Sequence, residues 1–383
     1  MLGRLQHGRL DVQWPDGSSS RFGVDASGAA HATVRLHHWR VCSAVLKAGD
    51  IGFAESYIAG DWSTPDLVAL LSLLVRNRDA VDGAVYGSWW GSLLFRAKRL
   101  LQRNTRRGSR QNIHAHYDLG NLFYRLWLDE TMNYSSALFE GDNQRPLPAA
   151  QRAKVRRALD ECGVQPGQRL LEIGCGWGAL AEQAAAEHGA QVTGVTLSQE
   201  QLAFAQQRLA DAGLADCTEL RLQDYRDIDD EPFDALVSIE MFEAVGREYW
   251  PGFFATVRER LKPGGRACIQ SITIRDELFD RYVRGTDFIQ QYIFPGGLLP
   301  SPAQFCAAAT AAGLEVVNEH AFGADYAHTL RLWRERFLAE DRRVRILGFD
   351  ARFMRIWEFY LAYCEAAFAG GSTDVIQFTL RRP

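Results

Sequence analysis

The run Leu171-Glu172-Ile173-Gly174-Cys175-Gly176-Trp177-Gly178 constrains this chain more than any other. A short apolar strand leads into it, glycines stand at alternate positions within it, and an alanine-rich helix leaves it. Glycine at 174, 176 and 178 permits a tight turn and lets the backbone approach a ligand closely. The spacing is not the dinucleotide pattern G-x-G-x-x-G, and no lysine follows to make a phosphate-binding P-loop. Downstream, residues 191–195 predict a second strand, 199–212 a helix and 235–239 a third apolar strand. Residues 250–261 predict a helix stopped by Lys262-Pro263-Gly264-Gly265, and 266–274 a further strand. This alternation predicts an α/β, doubly wound domain with a mainly parallel sheet. In such sheets ligands lie beyond the carboxyl ends of the strands, where the strand order reverses.

The amino-terminal part has a different pattern. Residues 10–14 and 20–24 flank Pro15-Asp16-Gly17 and predict a hairpin. A helical stretch over 54–75 is broken near Gly60 and restarted at Ser63-Thr64-Pro65-Asp66, where a hydroxyl caps and proline sits in the first turn. The longest apolar run, 67–75, is about half of the ~18–20 residues that cross a bilayer, so a core helix is expected. Between 96 and 110 stand Arg96, Lys98, Arg99, Arg103, Arg106, Arg107 and Arg110 without an acidic residue, just after Trp89, Trp90, Leu93, Leu94 and Phe95. A solvated linker and an interfacial anchor for anionic lipid both fit that composition. The resulting division is a smaller α+β domain over 1–95, a basic linker over 96–112 and a larger domain over 113–383.

A net charge of −4 gives no argument for nucleic acid. The seven cysteines form no C-x-x-C pair, so neither a zinc site nor a disulfide framework is expected, and a reducing cytosol fits. His114, His116 and His328 have no metal-binding spacing. The first residues lack the basic, apolar and small-residue zones of a signal peptide.

The E-x-G-x-G-x-G loop resembles motif I of class I methyltransferases, which implies a Rossmann-like domain that binds S-adenosylmethionine. On that resemblance the cofactor contacts are Tyr134, Ser135, Glu172, Gly174, Gly176, Trp177 and Gly178. Thr196, Leu197, Ser198 and Gln201 take the place of an acidic residue after the second strand, and Asp224-Tyr225 lie beside the adenine.

Further segments resemble the cyclopropane-fatty-acyl-phospholipid synthase family, which includes the mycolic acid cyclopropane synthases. They are His116-Tyr117-Asp118-Leu119-Gly120-Asn121, Met132-Asn133-Tyr134-Ser135-Ser136, Glu240-Met241-Phe242-Glu243-Ala244-Val245-Gly246, Tyr292-Ile293-Phe294-Pro295-Gly296-Gly297 and Asp325-Tyr326-Ala327-His328-Thr329-Leu330. Residues 49–57 resemble the longer bacterial members. The resemblance implies an enzyme that transfers a one-carbon unit from S-adenosylmethionine to the double bond of an unsaturated acyl chain in membrane phospholipid, forming a cyclopropane. It further implies a cytoplasmic protein, peripheral on the inner face of the membrane, with the amino-terminal domain binding lipid; a homodimer is compatible with it.

An alkene attacking the sulfonium methyl leaves a carbocation, which aromatic faces stabilise, and Tyr134, Tyr292, Phe294 and Tyr326 are candidates for that lining. Ring closure then needs a base. In the family this is a bicarbonate held by cysteine, glutamate, histidine, tyrosine and a backbone amide. The matching positions are Ser136, Glu243, Gln270, Tyr326 and the backbone of Ile272, with Glu243 the leading catalytic candidate and Glu240 a capping or supporting acid. Cys364 matches a carboxyl-terminal cysteine sometimes marked as active in the family, although a buried structural thiol fits it better. Serine and glutamine at 136 and 270 leave two alternatives open: methyl transfer without ring closure, and a lipid-binding protein that keeps the cofactor fold without turnover.

Overall fold

The computed structural model describes residues 2–24, 30–78 and 119–383. The basic linker expected over 96–112, the apolar residues before it and the first half of the motif at His116, residues 116–118, lie outside the described residues. Two compact units are present. Among the described residues the first takes 2–24, 30–78, 280–295 and 330–373, and the second takes 119–279, 296–329 and 374–383. Each unit therefore gathers segments far apart in the chain.

In the first unit a four-stranded sheet has the order β2-β1-β3-β4, built from β1 (Arg9–Gln13), β2 (Ser19–Gly23), β3 (His31–Leu36) and β4 (Trp62–Ser63). β1 and β2 form the expected hairpin, and β3 runs parallel to β1. Alternate residues Leu10, Val12, Ala32, Val34 and Leu36 are buried, the period-2 pattern of a sheet with one covered face. The helix Arg40–Ile58 begins well before the expected start at 54 and kinks at Gly49, whose φ of 59° takes it out of helical geometry. The helix Leu67–Arg76 buries Leu67, Leu70, Leu71 and Leu73. Its cap is the carboxylate of Asp66, which accepts from Ala69 N at 2.9 Å, and not the hydroxyl expected from the sequence.

The second unit contains the seven-stranded sheet β10-β11-β9-β8-β5-β6-β7. Its strands are β5 (Arg169–Ile173), β6 (Gln191–Thr196), β7 (Thr218–Leu222), β8 (Phe233–Ile239), β9 (Leu261–Ile274), β10 (Glu315–Ala321) and β11 (Thr373–Arg381). β5 to β9 are parallel, and β10 and β11 are antiparallel to each other. The chain moves from β5 through β6 to β7, then returns to place β8 on the other side of β5. This is the reversal that opens a crevice at the carboxyl ends of β5 and β8. The strand core of Leu170, Val192, Leu220, Ala235, Val237 and Cys268 packs against Leu159, Leu180, Ala184 and Leu209 from the helices. The lysine-proline-glycine-glycine run, expected as a turn, lies inside β9, where Gly264 N and Gly265 O bond to the backbone of Arg382. The α/β doubly wound class is as expected; β10 and β11 complete its edge.

Candidate active site

The glycine loop leaves β5 at Ile173, and Gly174 N and Cys175 N both donate to Val195 O, at 2.9 and 3.0 Å. Gly174, Gly176 and Gly178 have φ of 89°, 50° and 82°, where a side chain is strained. A Cβ on Gly176 would meet nothing within 4 Å, so the loop's outer side faces open space. The helix Ala179–His188 starts directly after it. Beside it, Trp177 Nε1 donates to Asn121 Oδ1 at 2.7 Å, and the Trp177 ring packs on Tyr124 at 5.1 Å. Tyr134 packs on Tyr124 and Trp127 in the same aromatic group. At the end of β6, Ser198 caps the helix Gln199–Asp211, and its backbone N donates to Thr196 Oγ1. Thr196 Oγ1 also bonds Gln201 Oε1 at 3.1 Å, and Leu197 is half-buried beside them. Asp224 pairs with Arg226 at 2.6 Å, and Tyr225 packs edge-on to Phe253. An open, positive-φ glycine cradle next to buried polar groups is suited to a nucleoside with a short polar tail.

At the end of β8 the structure rearranges the expected cluster. Ser136 N and Gln270 Nε2 donate to Glu240 Oε1 at 2.9 and 2.8 Å, and Tyr326 OH donates to Glu240 Oε2 at 2.7 Å. Ser136 takes part through its backbone; its hydroxyl donates to Ala137 O. Glu243 instead receives Ile272 N and Ser271 Oγ on Oε1, while its Oε2 is buried without a partner. Sequence reading had grouped Ser136, Gln270 and Tyr326 with Glu243. The physical reason lies in the backbone. Glu240 has φ 49°, which turns its side chain toward Gln270, the residue paired with Ile239 across β8 and β9. Glu243 follows in a short 3-10 turn, Phe242–Ala244. Phe242 is fully buried against Phe253, Phe254 and Phe305 at 5.0, 5.2 and 5.1 Å, which fixes the loop that carries both acids. Met241, between them, lies against Gly174 of the glycine loop.

Gln377, Arg157, Lys154 and Gln151 join the site although they are not among the sequence candidates. Gln377 Nε2 donates to Gln270 Oε1 at 3.0 Å, and Gln377 Oε1 receives Arg157 Nη1 at 2.7 Å. This chain of bonds sets both amide orientations and aims the NH2 group of Gln270 at Glu240. Lys154 is fully buried on the helix Leu147–Cys162 and donates to Ser135 Oγ at 2.6 Å. Ser135 is thereby a partner of Lys154 and, through its carbonyl, of Gln151. Glu172 is buried in β5, with Oε2 unpartnered.

Tyr292, Phe294 and Cys364 belong to the first unit. Tyr292 OH donates to Glu55, Phe294 packs on Tyr360, and desolvation, with Asp287 nearby, drives the Cys364 thiol far above its ordinary range. A thiol held protonated there is no nucleophile. Among the described residues no group of histidine, cysteine or acidic side chains is arranged to hold a metal ion.

Desolvation raises the pKa of both Glu240 and Glu243. At Glu240 the bonds from Ser136, Tyr326 and Gln270 and the charge of Lys154 oppose that rise. Glu243 has fewer such bonds and the Glu240 carboxylate beside it, and is pushed up to about 8. Of the two, Glu243 therefore holds its proton more tightly, and Glu240 is the one whose partners favour the charged form. Because folded Glu243 holds a proton that the unfolded chain has already released, its contribution to stability is present below 4.5 and falls away as pH rises to about 8. Urea midpoints measured across that window should decline with pH in the wild type and decline less steeply in Glu243→Gln. Equal slopes would show that Glu243 is solvated and ordinary.

A glycine cradle at the reversal point of a doubly wound sheet, with half-buried acids one strand away, defines a class I S-adenosylmethionine-dependent methyltransferase. The family model for mycolic acid cyclopropane synthetase matches residues 104–378, and the chain belongs to that family. The chain is 44% identical over 343 residues to the tuberculostearic acid methyltransferase UfaA1 of Mycobacterium tuberculosis, covering 87% of this chain and 79% of that protein. It is 36% identical over 364 residues to the cyclopropane-fatty-acyl-phospholipid synthase of Escherichia coli K12, covering 95% and 91%. The crystal structure of mycolic acid cyclopropane synthase CmaA1 complexed with SAH and CTAB superposes with a TM-score of 0.66 at 36% identity, over 71% of this chain and 98% of that one. The chain is thus an S-adenosylmethionine-dependent enzyme of lipid modification.

Proposed function

We propose that the chain transfers a methyl group to the double bond of an unsaturated fatty acyl chain in a membrane phospholipid and ends with a methyl-branched unsaturated chain. The observation that carries this reading is the locked set of uncharged donors on Glu240: a backbone amide, a tyrosine and an amide side chain fixed by Gln377. When bound, S-adenosylmethionine supplies an electrophilic methyl group. The chain's residues do the rest. The glycine loop and the Thr196–Gln201 group hold the nucleoside. Tyr134 and its aromatic neighbours exclude water and face developing positive charge. Glu240 stabilises the carbocation formed on the acyl chain and takes up a proton. Gln270 cannot pass a proton onward as histidine does, so removal of a chain proton competes well against removal of one from the new methyl group. The name and 44% identity of the Mycobacterium methyltransferase support the branched product.

A second reading, closure to cyclopropane, is favoured by the identity to the Escherichia coli synthase over 95% of this chain. Both products add the same mass, so NMR of phospholipid esters extracted after expression is the test. Olefinic and methyl-doublet signals support the first reading. Cyclopropane methylene signals alone would overturn it in favour of the second. Unmodified acyl chains, with the purified protein binding S-adenosylmethionine normally, would remove phospholipid as the substrate.

Among the described residues no helix is long and apolar enough to cross a membrane. Peripheral binding to the inner face, through the amino-terminal domain, is part of the proposal.

A further inference from the structure

Five groups would hold a bicarbonate on the family resemblance, and in this structure all five are already engaged. Ser136, Gln270 and Tyr326 bond the Glu240 carboxylate. Ile272 N bonds Glu243. An added anion would sit beside the Glu240 carboxylate in a half-buried site, where like charges repel. The residues present therefore do not fit bicarbonate.

We propose that Glu240 is the anion of this site: its side-chain carboxylate takes the donors that the resemblance assigns to a bicarbonate, and it is the proton acceptor of the reaction. The inference rests on the methyl-transfer reading above for its chemistry, but not for its geometry. Glu240 is one of three non-glycine residues with positive φ among the described residues, beside Met132 and Glu140. Such a conformation is disfavoured for a residue that carries a Cβ, and it persists where the surroundings over-determine it. Here three donors at 2.7 to 2.9 Å do so. Gln270 is held by Gln377 with its donor outward, the orientation that suits a carboxylate.

In the proton-transfer step a C–H bond of the methylated carbocation in the acyl chain breaks. Its electron pair stays on the carbon skeleton, as a new double bond or a ring bond, and its proton goes to a Glu240 oxygen. Charge and atoms balance without a further reactant.

The test uses Glu240→Gly and Glu240→Gln. Glycine accepts the positive φ and empties the space between the three donors, while glutamine keeps the size and cannot accept the proton. In carbonate-free buffer wild type should work as well as with added bicarbonate. Both variants should lose roughly 100-fold or more in rate, the usual scale for removing a general base. Added bicarbonate or formate should restore Glu240→Gly and leave Glu240→Gln inactive. A second readout needs no turnover: carbon-13 bicarbonate should show binding to Glu240→Gly by line broadening and none to wild type. Dependence of wild type on bicarbonate, or equal bicarbonate binding by wild type and Glu240→Gly, would overturn the proposal. The binding result decides it even where the lipid substrate proves to be another, because failure of the methyl-transfer reading leaves that readout unchanged.

Discussion

Gly176→Val is expected to abolish measurable binding of S-adenosylmethionine while the chain stays folded. Gly176 has φ 50°, and a Cβ there meets no protein atom within 4 Å. The new side chain therefore does not clash with the fold. It projects into the space the loop leaves for the ligand, and as a β-branched residue it also strains the loop. Loss of close backbone approach should weaken binding by at least two factors of ten, each worth about 1.4 kcal/mol. Titration calorimetry measures this directly, and circular dichroism confirms folding. Affinity within about threefold of wild type, less than about 0.7 kcal/mol, would remove this loop from cofactor binding. Alanine at the same position, with less volume, should fall between the two.

That loop was legible in the sequence because its signal is local: an apolar strand, alternate glycines and a helix in unbroken succession. β6, β8 and the helix Gln199–Asp211 were legible for the same reason, each carrying its own periodicity and ends. The two-unit organisation was not, since residues 280–295 and 330–373 join the amino-terminal segments through tertiary packing that no local pattern records. Glu240 and Glu243 were both visible as acids after an apolar strand. Which of them meets Ser136, Gln270 and Tyr326 depends on one backbone angle, and a positive φ at glutamate has no sequence signature. Lys154 was hidden by its company. Arg152, Arg156 and Arg157 make its helix look like a solvated basic face. The period gave a signal, however: Leu147, Ala150, Gln151, Lys154, Val155, Ala158, Leu159 and Cys162 form one buried stripe with three- and four-residue steps. A lysine on such a stripe, near two glutamines and several acids, is a candidate for a structural charge.

Lys154→Met is expected to destabilise the protein and to move its activity to higher pH. Lys154 is the buried cation that faces Glu240, Asp129 and Glu172, and desolvation brings its own ammonium down to about 8. Methionine matches the stem in volume, so the change isolates the charge. Glu172, already pushed up to about 8 by burial, loses the charge that lowers it, and so does Glu240. Breaking a buried ionic set by removing one partner costs about 3–5 kcal/mol, enough for a drop of many degrees in the melting temperature. Ser135 Oγ also loses its donor, which loosens the segment that presents Ser136 N to Glu240. For catalysis the sign follows from Glu240 as a base: it must be ionised, its protonated form becomes easier to keep without Lys154, and the ascending limb of the pH–rate profile shifts to the alkaline side. Residual activity should therefore recover in part as pH is raised, which a purely structural defect would not produce. A melting temperature within about one degree of wild type, together with an unmoved ascending limb, would mean that Lys154 and Glu240 are not electrostatically coupled. A large loss of stability with an unmoved limb would keep Lys154 as a structural charge and take the base role away from Glu240.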